Sequence, residues 1–217
     1  MARLNGRGYL TILGALAAQR VLEVLWSARN LRRSGAGRRA GVRSFPLMVC
    51  VNGALFALPA LTRYGRPAPP PLVRAAALTG VAGATGLRLW VIATLGDAWN
   101  VQARVPETLV VVSSGPYRWV RHPNYAAVAL EFACVPLLGA AYVEAVALSI
   151  ANALVLVPRI REEEHLLDAV PGYREAFAGK PRFIPGLRVS QNGSRIRLQP
   201  ASSSRVESSA GTSSSRS

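Results

Sequence analysis

Residues 115–125 read Gly-Pro-Tyr-Arg-Trp-Val-Arg-His-Pro-Asn-Tyr, the densest run of chemically capable side chains in the sequence. Gly115-Pro116 makes a turn. Pro123 holds His122 out of the helical region and itself suits the first position of a helix. His122 is therefore expected at a helix N-terminus, with Arg121 beside it. Backbone N–H groups and two basic side chains at such a terminus suit an anion, either a carboxylate or a phosphate. The same run also fits an interfacial anchor, with Arg118 and Arg121 at lipid headgroups and Tyr117 and Trp119 in an aromatic belt.

A second run, Arg159-Ile160-Arg161-Glu162-Glu163-Glu164-His165-Leu166-Leu167, has helical spacing. Ile160, Leu167 and Val170 share one face, Glu163 falls in its middle, and Arg159 lies one turn earlier on the same side. An acid among apolar neighbours needs a partner or a ligand. It can accept both ribose hydroxyls of a nucleoside, balance a sulfonium charge, or pair with Arg159 as a structural staple. Glu131 and Asn152 interrupt an otherwise apolar stretch, and polar groups at membrane depth are functional candidates because leaving them unpaired is costly. They are expected to pair with each other or with Arg88, and to wall a substrate pocket.

The elements that position these residues are membrane spans. Apolar runs cover residues 8–26, 45–61 and 72–95, each near the ~20 residues a spanning helix needs. The first carries Gln19, Arg20 and Glu23, and the three-residue spacing of Arg20 and Glu23 lets them pair on one face. The third contains Gly80, Gly83 and Gly86, which suits close helix contact. The run 125–157 would make about 50 Å of helix, too long for one span and short for two. Gly139 near its middle points to a tight helical hairpin. Residues 27–44 hold Arg29, Arg32, Arg33, Arg38, Arg39 and Arg43 and no acid, so the positive-inside rule assigns that loop to the cytoplasm. The N-terminus is then outside, and the polar segments 96–124 and 159–186 both reach the cytoplasmic face, where they can meet at the base of the hairpin. The Ser-rich stretch 188–217 is expected to be disordered and C-terminal on the cytoplasmic side. The division is thus 1–95 for the N-terminal spans, 96–187 for a core of loop, hairpin and helix, and 188–217 for the tail.

Half of the 217 residues are hydrophobic, only 17% are charged, and the mean hydropathy is +0.23. That balance fits a bilayer better than a soluble domain. The net charge of +15 does not mark a nucleic-acid binder, because the arginines flank apolar runs and no basic stripe interleaved with aromatics accompanies them. Cys50 and Cys134 sit inside apolar runs, and with His122 and His165 the only histidines no metal site is expected. The first span has no small-residue cleavage site and reads as retained. Together these readings describe an all-α integral membrane protein of the inner membrane, with about five transmembrane helices.

In combination the two motifs resemble the isoprenylcysteine carboxyl methyltransferase family. The matching residues are Gly115 to Tyr125, Arg159 with Glu163 and Glu164, and Gly172-Tyr173 followed by Pro181-Arg182-Phe183-Ile184-Pro185. One departure is Ala126-Ala127, where family members often have a glycine. The resemblance implies that His122, Pro123, Tyr125, Arg159, Glu163 and Glu164 line a pocket for S-adenosylmethionine, and that a hydrophobic acceptor slides in from the bilayer. Gln19-Arg20 and Leu87-Arg88-Leu89-Trp90 look like the bacterial branch, whose members are often associated with long-chain polyketides such as alkylpyrones and alkylresorcinols.

The expected reaction is O-methylation, an in-line displacement in which positioning supplies much of the catalysis. A carboxylate acceptor, pKa ~4, arrives ionised, whereas a phenol, pKa ~10, needs a base or a positive neighbour. His122 is the only imidazole near the expected site. If it holds the cofactor no obvious base remains, which favours an acidic acceptor: a lipid or isoprenylcysteine-like carboxylate, or an acidic enol or phenol. Arg121 or Arg88 would orient it. Two other classes fit the sequence: an NADPH-dependent membrane reductase with a similar hairpin, and a non-catalytic membrane protein.

Overall fold

The computed structural model describes residues 6–33, 37–39, 44–62, 65–102, 104–106, 111–189 and 196–198. Its helices are α1 (Gly6–Arg33), α2 (Phe45–Thr62), α3 (Pro71–Leu95), α4 (Pro123–Leu138), α5 (Tyr142–Leu167) and the single turn α6 (Tyr173–Ala176). Two antiparallel ladders of three-residue strands complete it: β1 (Gly37–Arg39) with β2 (Arg104–Pro106), and β3 (Leu187–Val189) with β4 (Ile196–Leu198). Four helices, Gly6–Arg33, Phe45–Thr62, Pro71–Ala98 and Tyr142–Leu167, are long and apolar enough to cross a bilayer. This is an all-α multi-pass membrane architecture. The fifth apolar helix, α4, has 16 residues, or about 24 Å, and falls short of a ~30 Å hydrocarbon core.

The hairpin expected around Gly139 is present, with unequal arms. Its second arm does not stop at Pro158 but continues to Leu167. A proline is tolerated inside a membrane helix whose neighbours cover the freed carbonyl, and the Arg/Glu/Leu-rich run after it favours helix. Residues 142–167 are therefore one rod that carries Asn152 at depth and Glu163 near its end.

Two further expectations change. α1 runs on to Arg33 through residues assigned to the basic loop, because Ser27 and Asn30 are buried and bonded there. Of the three α3 glycines only Gly80 makes a close contact. A Cβ on it would lie 2.3 Å from Cys134 Sγ, whereas Gly83 and Gly86 have nothing within 4 Å. The buried α3 positions, Ala77, Val81, Ala84, Arg88 and Val91, follow a stripe of threes and fours, and Gly83 and Gly86 fall off it. Of the 188–217 tail, residues 190–195 and 199–217 lie outside the described residues, as do 34–36 and 40–43 of the basic loop.

The apolar core gathers Tyr9 and Leu13 of α1, Leu55 of α2, Ala77 and Val81 of α3, Phe132, Val135 and Leu138 of α4, and Leu148 of α5. On the outside, Val21, Leu22 and Leu25 of α1, Leu61 of α2, and Val143, Val146 and Leu154 of α5 are exposed, as a lipid-facing surface requires. Gly80→Ala is expected to lower the unfolding midpoint in detergent, since overpacking typically costs about 1–3 kcal/mol. Adding Cys134→Ala should recover most of the loss. No recovery would show that the α3–α4 contact is not what Gly80 serves.

Candidate functional site

Six helices and the described residues between α3 and α4 line a cavity of about 520 Å³, within the ~300–1,000 Å³ of small-molecule pockets. Along α5 its wall is Asn152, Leu156, Arg159, Glu163 and Leu167, one helical stripe running from membrane depth to the end of the rod. Tyr125 and Val128 of α4 face it, with Arg20, Val21, Glu23 and Val24 of α1 and Met48, Val49, Asn52 and Phe56 of α2 on the far side. Arg88 and Asn124 complete the wall between them.

At the α5 end the motif residues meet. Gly115 turns the chain with φ +56, and a Cβ there would collide with Thr94 Oγ1 at 2.3 Å, so glycine lets the turn press onto α3. His122 caps α4 at φ −126, ψ 60 and Pro123 is its first residue, as the His-Pro pair predicts. His122 Nε2 lies 3.0 Å from Glu164 Oε1, and Arg182 also donates to Glu164. Arg121 Nε donates to the Lys180 carbonyl at 2.8 Å. The backbone N–H groups of Arg121 and His122 donate to the carbonyls of Pro181 and Arg182, each at 2.9 Å. Residues 180–182 thus lie along the motif, and the chain itself occupies part of the donor set that the sequence offered to an anion.

Arg159, 1% exposed, does not staple Glu163 directly. Its Nε donates to the Tyr125 hydroxyl at 3.1 Å and its Nη2 to the Val101 carbonyl at 2.7 Å. The Tyr125 hydroxyl donates in turn to Glu163. Val101 is held by its N–H donating to Ser27 Oγ at 2.9 Å, and Asn30 Nδ2 donates to the Trp99 carbonyl at 2.9 Å. The last turns of α1 therefore position the loop on which Arg159 rests. Tyr117, Tyr173 and Phe177 close this end, with Tyr173 and Phe177 centroids 4.7 Å apart and Lys180 Nζ 4.5 Å from the Phe177 ring. Burial, and then the negative charge of Glu163, push the Tyr117 and Tyr173 phenols well above their ordinary pKa. Both stay neutral at physiological pH, as donors and not bases.

Deeper in the membrane, charged groups from three helices join. Glu23 Oε2 lies 2.6 Å from Arg20 and 3.4 Å from Arg88, and Gln19 Nε2 donates to Glu23 Oε1 at 2.9 Å. Glu131 takes Arg88 at 3.2 Å and a closer bond from Arg20. Arg88 Nη1 donates to Asn124 Oδ1 at 3.1 Å. Of the two partners open to Glu131, Arg88 is the one used. Asn152, 6% exposed, instead lines the cavity.

Of the residues singled out in the sequence, Arg121, His122, Tyr125, Arg159, Glu163, Arg88 and Asn152 line the cavity. Pro123, Glu131 and Glu164 stand behind that wall. The sequence reading passed over Glu23, Asn124, Ser27, Asn30 and Phe177 as site or positioning residues. Glu23 carried a signal, an acid inside a span, but the Arg20 spacing accounted for it.

Residues 76–169 match the Isoprenylcysteine carboxyl methyltransferase (ICMT) family, as the paired motifs lead one to expect. The match takes in most of α3 and all of α4 and α5, and leaves α1 and α2 outside. A curated relative, "Uncharacterized protein YpbQ" of Bacillus subtilis (strain 168), is 44% identical over 81 residues. Those residues are 37% of this chain and 48% of that protein, so the chain spans about half the length of the curated relative it matches.

Proposed function

We propose that this chain, whose residues 76–169 belong to the isoprenylcysteine carboxyl methyltransferase family, transfers a methyl group from S-adenosylmethionine to an oxygen of a hydrophobic acceptor dissolved in the membrane. The observation that carries this is the continuity of the cavity. One end is polar and aromatic, at Tyr117, Arg121, His122, Glu163 and Tyr173, and the other is walled by α1 and α2. Val21, Val24 and Val49 line it and are also more than half exposed, so the acceptor side opens where lipid tails lie. A water-borne cofactor and a lipid-borne acceptor can therefore reach one chamber from two phases.

The residues at the polar end fit the cofactor. Tyr125 occupies one Glu163 oxygen, and the carboxylate still faces the cavity to accept ribose hydroxyls or balance a positive sulfur. Arg159 Nη1 is a buried donor without a protein partner. Arg121 and His122 at the start of α4 suit the amino-acid carboxylate. When bound, S-adenosylmethionine supplies an electrophilic methyl. The protein's part is to hold the acceptor oxygen in line with it and exclude water. Glu164 and Arg182 orient His122, and the Val101 carbonyl with Tyr125 fixes Arg159. The family resemblance and the six arginines from Arg29 to Arg43, at the end of α1 and before α2, support an inner-membrane location, with the N-terminus outside and this polar end in the cytoplasm.

Calorimetry on detergent-purified protein tests the reading: S-adenosylhomocysteine is expected to bind and NADPH is not. NADPH binding without S-adenosylhomocysteine binding would overturn it in favour of a reductase. Binding of neither would remove the cofactor assignment.

A further inference from the structure

Helix α1 is longer than the span it provides. Its 28 residues make about 42 Å of helix against a hydrocarbon core of ~30 Å, and its apolar run ends at Trp26. Residues 27–33 therefore carry the helix about 10 Å further, into the headgroup layer, with Trp26 at the boundary where interfacial aromatics sit. This end has two faces. Glu23, Ser27 and Asn30 are buried, and the bonds of Ser27 and Asn30 to residues 96–101 fix the rotation of the helix. At roughly 100° per residue, Val21, Leu22, Leu25, Arg29, Arg32 and Arg33 fall within about 120° of one another on the opposite side. All six are exposed.

That outer stripe is apolar at depth and cationic at the surface, the complement of a lipid with apolar tails and an anionic phosphate. Arg29, Arg32 and Arg33 are three and four residues apart, a spacing at which like charges repel. With Leu25 and Ala28 they line a shallow recess that holds no acid among the described residues. Glu23, the acid nearest in sequence, is turned to the buried face, against Arg20 and Arg88. The Arg29 guanidinium lies 5.4 Å from the Trp26 ring centroid, a contact that restrains it beside the recess. Arginines near the end of a span satisfy the positive-inside rule whichever face they occupy. Here every arginine of residues 27–33 is on the lipid-facing side, where planar donor forks can share one phosphate.

We propose that the lipid-facing side of the α1 C-terminal end binds one anionic phospholipid, its phosphate among Arg29, Arg32 and Arg33 and its acyl chains along Leu25, Leu22 and Val21. Val21 also lines the large cavity, so the tails of the bound lipid pass the edge of that cavity. The site goes beyond the methyltransferase reading and does not depend on it.

The test titrates detergent-purified full chain with phosphatidylglycerol or with phosphatidylcholine of the same acyl chains, and counts bound lipid by native mass spectrometry. Wild type is expected to bind the first phosphatidylglycerol at least about tenfold more tightly than the first phosphatidylcholine, given roughly fivefold per arginine beside an anionic headgroup. Arg29→Gln combined with Arg32→Gln and Arg33→Gln should abolish that preference. Arg7→Gln combined with Arg161→Gln and Arg174→Gln removes the same charge from exposed positions elsewhere and should keep it. Millimolar inorganic phosphate should not displace the lipid. With bromine on the acyl chains, phosphatidylglycerol should quench Trp26 fluorescence, read as the quenching that Trp26→Phe removes, in wild type and not in the first triple variant. No preference in wild type, equal losses in the two triple variants, displacement by inorganic phosphate, or equal quenching of Trp26 with and without the three arginines would each overturn the proposal. If the first triple variant does not fold, Arg29→Gln alone must lose roughly fivefold in affinity for phosphatidylglycerol, and Arg161→Gln must not.

Discussion

Glu163→Ala is expected to weaken S-adenosylhomocysteine binding by roughly 10–150-fold, the equivalent of about 1.5–3 kcal/mol for hydrogen bonds to a charged group. The carboxylate sits where the α5 stripe reaches the aromatic end of the cavity, and alanine removes the acceptor for the nucleoside while leaving the helix intact. Tyr125 would also lose the acceptor of its hydroxyl, but Arg159 keeps that oxygen in place from the other side. Glu162→Ala, one residue earlier on an exposed face, is the control and should bind as wild type does. Calorimetry reads both. Equal affinities for wild type and Glu163→Ala would move the nucleoside away from α5 and leave the stripe with a structural role.

The second large effect is on stability. Arg88→Met should cost about 3–5 kcal/mol, the range for breaking a buried ion cluster from one side. Glu23 and Glu131 would then share Arg20 alone, leaving a net negative charge inside the membrane domain. At roughly 2–4 °C per kcal/mol for a chain of this size, the unfolding midpoint in detergent should fall by on the order of 10 °C. Arg88→Met with Glu131→Gln restores neutrality and should regain a substantial part of that fall. A single variant as stable as wild type would mean that water reaches the cluster and that the four charges are not mutually dependent.

Much of the frame was open to inspection in the sequence because it depends on local periodicity. Hydropathy runs located α2 and α3 within a residue and the start of α1, whose end lies seven residues beyond its run; Gly139 marked the hairpin turn, and His122-Pro123 marked the start of α4. The helical repeat placed Arg159 and Glu163 on one face of α5, and both line the cavity. Paired motifs at the correct separation pointed to the family that residues 76–169 match. Each of these rests on residues fewer than about fifty apart, or on steric rules for single residues.

What the sequence left open were the pairings between helices. Glu131 had two partners on offer, Asn152 and Arg88, and nothing in the spacing of either separates them. The choice depends on which faces of α3, α4 and α5 pack together. Arg20 had an adequate partner three residues away in Glu23, so its second bond to Glu131, 111 residues distant, had no sequence signal. The same holds for Ser27 and Asn30, which read as loop polars until α1 is seen to hold residues 96–101, and for Lys180 to Arg182, which lie along the His-Pro motif through backbone bonds that any side chains could make. Local sequence determined which segments are helices, where they turn and which side chains face alike. Only the tertiary structure decided that two arginines and two glutamates from three helices meet in one cluster, because their neutrality is a property of the assembled cluster and of none of its helices alone.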